Sequence, residues 1–127
     1  MNNKAAITGV IFGASAIVLG AFGAHGLKEL LNDGQIAVFE TGVKYQMYHA
    51  LFLLFVSLVP SVTDKAKKAI TILVITGVLL FSFSLYFLSC NDLFSFDFKK
   101  IGFITPIGGL LLIAAWTVLF LNLLKRK

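Results

Sequence analysis

Tyr45, Gln46 and His49 sit at the start of a nineteen-residue stretch, Tyr45–Thr63, that carries no formal charge. Spacings of three and four place all three on one face of a helix. Neutral imidazole donates one hydrogen bond and accepts another; a carboxamide and a phenol each do both. Such a group can hold a polar solute or relay a proton. It can equally tie helices together where no water is present. Tyr48 lies beside it, and Glu40 and Lys44 precede it with the i, i+4 order that favours an ion pair. His25, Ser82, Ser84, Tyr86 and Thr105 are further polar groups within or bordering uncharged stretches.

The elements that must position these groups are read from the charges. The 127-residue chain is 58% hydrophobic and only 13% charged, against about 25% charged in a soluble domain. Uncharged runs cover Ala5–Ala24, Tyr45–Thr63, Ala69–Asn91 and Ile101–Leu124. A helix needs about 20 apolar residues to cross the hydrocarbon core. A small soluble helical bundle would need a charged face at helical period, and these runs have none. The expected fold is therefore all-α: one four-helix transmembrane bundle filling residues 1–127, with spans near 5–24, 42–60, 69–90 and 101–124. A cleaved signal peptide is disfavoured for the first run, which exceeds the usual apolar core and precedes three more spans.

Four spans put the amino terminus, the second gap and the carboxyl terminus on one side. That side carries Lys4, Lys65, Lys67, Lys68, Lys125, Arg126 and Lys127; the other carries Lys28, Lys44, Lys99 and Lys100. The excess of basic residues places both termini in the cytoplasm. The net charge of +5 thus reads as anchoring at the lipid surface. The lysines flank apolar runs without interleaved aromatics, which excludes a nucleic-acid platform. Measured from Pro60, His49 lies about 16 Å up its helix, near the bilayer midplane. The other polar groups fall at that depth or toward the extracytoplasmic side, while the cytoplasmic half is apolar apart from Trp116 and Asn122.

Local signals add detail. Gly9 and Gly13 form a GxxxG in a stripe of small residues, suited to close helix packing within the chain or between two copies. Leu27–Leu31 reads as a helical turn at the interface. Asn32 and Gln35 resemble a capping box, so the second helix should begin near Gly34 and extend beyond the membrane on the extracytoplasmic side. Ser82, Tyr86 and Ser89 share a helical face. Phe94, Phe96 and Phe98 alternate with polar residues, which hints at an extended piece. Pro106 should kink the fourth helix about two turns in, leaving the Gly102 carbonyl in need of a donor. Cys90, the lone cysteine, excludes an intrachain disulfide, and no internal repeat suggests an inverted-repeat transporter.

Some chemistries are poorly served. His25 and His49 are separated in depth and lack further ligands, so no metal or other cofactor is expected. Pairing His49 with Ser82 as base and nucleophile of an intramembrane hydrolase lacks any flanking motif. An enzyme is therefore not expected, although that pairing stays open.

Gly20-Ala-Phe-Gly-Ala-His-Gly-Leu27, Phe39-Glu-Thr-Gly-Val-Lys-Tyr-Gln-Met-Tyr-His-Ala50, Ser84-Leu-Tyr86 and Thr105-Pro-Ile-Gly-Gly109 resemble the domain-of-unknown-function 423 family. That resemblance covers essentially the whole chain. It implies a small bacterial inner-membrane protein with four spans and carries over no activity or catalytic residue. Phe83 departs from the family pattern, where Gly is expected. The leading functional expectation is binding or passage of a small solute or proton, in a homo-oligomer, through a site open to the extracytoplasmic side. Its residues would be His49, Tyr45 and Gln46, with His25, Glu40 and Lys44 at the mouth and Tyr86 and Thr105 alongside. The alternative is a non-transporting accessory or scaffold protein whose polar cluster joins spans one, two and four.

Overall fold

The structure is a computed structural model that describes residues 3–125. It consists of helices α1 (Lys4–His25), α2 (Asp33–Leu58), α3 (Asp64–Ser89) and α4 (Ile104–Lys125), with short 3₁₀ turns at Asn91–Leu93 and Phe98–Ile101. Arg126 and Lys127 of the basic tail lie outside the described residues. α1, α3 and α4 are each long and apolar enough to cross a membrane. α2 has the length but carries Lys44, Gln46 and His49 through its middle, so the polar residues of the candidate site are what lower its hydropathy.

The ends of the helices follow from sequence. Asn32 accepts the Gln35 amide at 2.8 Å, and the Gln35 side chain accepts the Asn32 amide at 2.9 Å. This reciprocal cap starts α2 where two orphan donors would otherwise be exposed. The Gln35 side chain also donates to Asp92 at 3.0 Å, linking the two loops at this end. Thr63 caps α3 through Ala66. A single turn closes through Leu31 N–H on the Leu27 carbonyl, as the helical-turn reading expects, and both leucines are buried in the cluster with Phe39 and Tyr86.

Three expectations are corrected. α4 begins at Ile104 rather than Ile101, so Pro106 occupies the first helical turn. A proline there removes a donor that has no intrahelical partner, and no kink is required. The Gly102 carbonyl takes the Thr105 amide at 3.3 Å. Phe94, Phe96 and Phe98 belong to no extended piece. Asn91 accepts the Phe98 amide and Asp97 accepts the Lys99 amide, folding the loop so that Phe94, Phe96 and Phe98 cluster, with Phe98 stacked on Phe87 at 5.0 Å. Glu40 and Lys44 are both exposed, and no ion pair joins them. A solvated i, i+4 pair is worth only a few tenths of a kcal/mol, which the entropy of two long side chains offsets.

Successive helices are antiparallel. α1 packs on α2, α2 on α3, and α3 on α4, with a lighter α1–α3 contact. Residues such as Ile11, Ile17, Val18, Phe55, Ile72 and Ile113 cover the outside, as expected where lipid replaces water. Inside lie two apolar clusters. One, built on Leu53, Val56, Ile70, Val74, Val78 and Leu112, fills the end nearest the termini. The other, built on Leu27, Phe39 and Tyr86, fills the loop end.

Glycine sets the closest approaches. A Cβ at Gly9 would fall 2.8 Å from the Ala50 carbonyl oxygen, so the GxxxG stripe of α1 is used within the chain, against α2. A Cβ at Gly108 would strike the α3 backbone at Leu80 and Phe81, whereas one at Gly109 would reach only the Phe81 ring at 3.6 Å. Gly108→Ala should therefore lower the thermal unfolding midpoint in detergent, by the equivalent of about 1–3 kcal/mol of overpacking. Gly109→Ala should leave it unchanged or raise it, because Ala is the better helix former. Equal effects of the two substitutions would contradict the close α3–α4 contact.

Candidate functional site

Gln46 is fully buried between the two apolar clusters. Its Nε2 lies 3.0 Å from the Phe12 carbonyl oxygen and 2.7 Å from Ser15 Oγ. A carbonyl only accepts, so the amide nitrogen must face α1, and the amide oxygen then faces α3. There the Tyr86 hydroxyl donates to Oε1 at 2.6 Å. Helical side chains slant toward their own amino terminus. Because α2 and α3 are antiparallel, Gln46 and Tyr86 slant toward each other and meet although they start at different depths. Gly42 makes room for the ring: a Cβ there would lie 2.6 Å from Tyr86 Cε1.

His49, one turn further along α2, is 4% exposed. Its Nδ1 lies 2.7 Å from the Tyr45 carbonyl oxygen, and the Trp116 indole N–H points at its Nε2 over 3.1 Å. The carbonyl can only accept and the indole can only donate. These partners assign a neutral ring with the proton on Nδ1 and the Nε2 lone pair taken by Trp116. Phe52 packs on Trp116 with ring centroids 4.1 Å apart. Trp116 itself is half exposed on the outer face of α4.

A groove of about 360 Å³ opens on this face between α2, α3 and α4, lined by Tyr45, His49, Phe81, Gly109, Leu112, Ile113 and Trp116. Tyr45 packs on Phe81 at 5.0 Å. Its hydroxyl has no hydrogen-bond partner among the described residues. The groove is thus an apolar trough with a hydroxyl and an imidazole in its wall.

The predicted residues separate into distinct places. Gln46 and Tyr86 form the buried network, and Tyr45 and His49 line the groove. Thr105 Oγ1 lies 2.6 Å from Ser84 Oγ, joining α3 to α4. His25, Glu40 and Lys44 are exposed and share no hydrogen bond with the others. The polar cluster therefore does not join spans one, two and four as one unit: Gln46 ties α1, α2 and α3, and His49 separately ties α2 to α4. The His49–Ser82 pairing is not formed. Both imidazole nitrogens are engaged elsewhere, and the buried Ser82 hydroxyl has no hydrogen-bond partner. Ser15 and Trp116 are the contributors that sequence reasoning missed. Depth held a signal for Trp116. It lies about 14 Å from the Lys125 end of α4, close to the roughly 16 Å assigned to His49, and an indole N–H inside a membrane needs an acceptor.

The family model described as protein of unknown function (DUF423) matches residues 19–109. The chain belongs to this family. Among similar proteins, a UPF0382 membrane protein of Staphylococcus epidermidis is 40% identical over 119 residues, covering 94% of this chain and 93% of the relative. The UPF0382 membrane protein YwdK of Bacillus subtilis is 38% identical over 94% of each chain. A UPF0382 membrane protein of Haemophilus influenzae is 35% identical over 100% of this chain and 98% of its own. No solved structure matches. The DUF423 segment contains Tyr45, Gln46, His49, Tyr86 and Thr105, while Ser15 and Trp116 lie outside it.

If Gln46 and Tyr86 act as one unit, their losses should not add. Tyr86→Phe leaves Oε1 buried without a donor, at a cost of about 1–3 kcal/mol. Gln46→Met keeps the volume and strands the phenol instead. A double-mutant cycle on the unfolding midpoint in detergent should show a coupling of about 0.6–1.7 kcal/mol. Strict additivity would mean that the 2.6 Å contact contributes nothing to folding.

Proposed function

We propose that this membrane protein binds a small amphipathic molecule drawn from the lipid phase into the His49 groove. The observation that carries the reading is the groove itself, which brings the outer apolar face of the bundle to the imidazole. Its volume falls within the range of small-molecule sites. An apolar body fits among Phe81, Leu112 and Ile113. A hydroxyl or N–H on that body can displace Trp116 and donate to Nε2, and the Tyr45 hydroxyl offers a second polar contact. The groove opens sideways, which favours binding over passage, and one copy of the chain suffices for it.

The reading takes α2 as a fourth span. Support comes from its 26-residue length, its place between α1 and α3, and the exposed apolar side chains of Leu51, Phe55 and Leu58. The count of seven basic residues against four supports cytoplasmic termini. The scaffold alternative is favoured at one point only: the Gln46 network is buried and bonded on three sides, which suits structural glue. The two readings thus divide the cluster between them.

Trp116 is the only tryptophan, so its emission reports on the groove directly. In liposomes, 1-decanol should shift or quench it saturably, whereas decane should produce only a small linear change. His49→Ala, folded by circular dichroism, should weaken the decanol response by about five- to tenfold, the equivalent of one hydrogen bond. Equal, unsaturable responses to both compounds in the unmodified protein would show partition into the bilayer alone and would overturn the proposal.

A further inference from the structure

Packing accounts for one of the two adjacent glycines of α4 and leaves the other unexplained. A Cβ at Gly108 would strike the α3 backbone at Leu80 and Phe81, and Gly9, Gly23, Gly42 and Gly77 each have a neighbour within 2.8 Å of the same position. A Cβ at Gly109 would touch only the Phe81 ring, at 3.6 and 3.8 Å, which is ordinary contact. Glycine inside a helix is costly relative to alanine, and here no backbone approach requires it. Gly13 and Gly20 have comparable room, but they lie on the α1–α2 seam. Gly109 lines the His49 groove.

Gly109, Leu112, Ile113 and Trp116 follow one another by three and four residues, so they share a face of α4. From Gly109 to Trp116 the trough runs about 10 Å along the helix axis. α2 and α4 run in the same direction, and the groove therefore has two unlike ends. At one, Trp116 meets His49. At the other, Gly109 lies against Phe81, which packs on Tyr45 at 5.0 Å. A hydroxyl held by His49 leaves its apolar body to run toward the second end or out into lipid.

A flexible alkyl chain finds contacts in the bilayer as good as those in the trough. It can leave sideways and is then held by its head alone. A rigid ring system cannot bend out. It loses little conformational freedom on binding and lies along the trough, its far ring over the Gly109 backbone and against Phe81 and Tyr45. Among the described residues no charged side chain lines the trough, which suits a neutral alcohol. We infer that Gly109 is the specificity-determining residue of the His49 groove, and that the groove selects rigid alcohols of two or more linked rings over single-ring or straight-chain ones. This rests on the reading of that groove as a lipid-side binding site and names its ligand class.

Trp116 emission in liposomes tests the assignment with 4-cyclohexylcyclohexanol and cyclohexanol, neither of which absorbs where tryptophan does, both dosed per bilayer lipid. The unmodified protein should respond saturably to both and bind the two-ring alcohol more tightly. Gly109→Leu, which puts a side chain where the far ring lies, should lower that preference about tenfold, within the range of overpacking. Gly109→Ala should lower it less. His49→Ala should weaken both alcohols and keep their ratio. Saturable binding without a preference in the unmodified protein would overturn the inference and leave the groove reading standing. So would an unchanged preference in the folded Gly109 variants, or an equal loss of preference in His49→Ala. If Gly109→Leu does not fold, Gly109→Ala decides. No saturable response to either alcohol in the unmodified protein would overturn both readings.

Discussion

The carboxamide of Gln46 governs this architecture. A polar group buried where no water can reach must find protein partners or cost several kcal/mol. Gln46 finds them on two other helices: the Phe12 carbonyl and Ser15 hydroxyl of α1, and the Tyr86 hydroxyl of α3. Apolar side chains can slide past one another at little cost. Three directed hydrogen bonds at one level cannot, so this layer fixes the rotation and register of α1, α2 and α3 together. The apolar clusters above and below it then need only fill space.

Close backbone approach makes that layer reachable. Gly42 leaves room for the Tyr86 ring, Gly9 lets α1 settle on the Ala50 carbonyl, and Gly108 brings α4 onto α3. Between helices in lipid the hydrophobic drive is largely absent, so dispersion and short polar contacts carry the association. α4 depends on this most. It meets α3 at Gly77 and Gly108, shares the Thr105–Ser84 contact, and reaches α2 through Trp116 and His49.

Much of this was legible in the chain. Charge gaps mark the helices, Asn32 and Gln35 mark the start of α2, and the spacing of Tyr45, Gln46 and His49 marks the face that carries polar chemistry. What stayed hidden depends on rotation about helix axes. The small-residue stripe marks a packing face of α1, but Ser15 lies off that stripe and the Phe12 acceptor is a backbone carbonyl, so the donor from α2 could not be assigned its acceptors. Pro106 was misplaced for a different reason. Starting α4 three residues too early turns a first-turn proline, which is harmless, into an interior one, which bends. The phenylalanines of the Asn91–Lys100 segment alternate like a strand, yet the short-range bonds of Asn91 and Asp97 outweigh alternation.

Trp116 and His49 share a single lone pair. A proton arriving at Nε2 and a donor group arriving in the groove both require the indole to leave, and each would occupy the position the other needs. Two ligands that compete for one atom are negatively coupled, and the coupling is the same whichever binds first. A local rise in acidity and an incoming lipid-soluble molecule would therefore oppose each other at this imidazole. One tryptophan side chain, lying at the edge of the bundle, would register both.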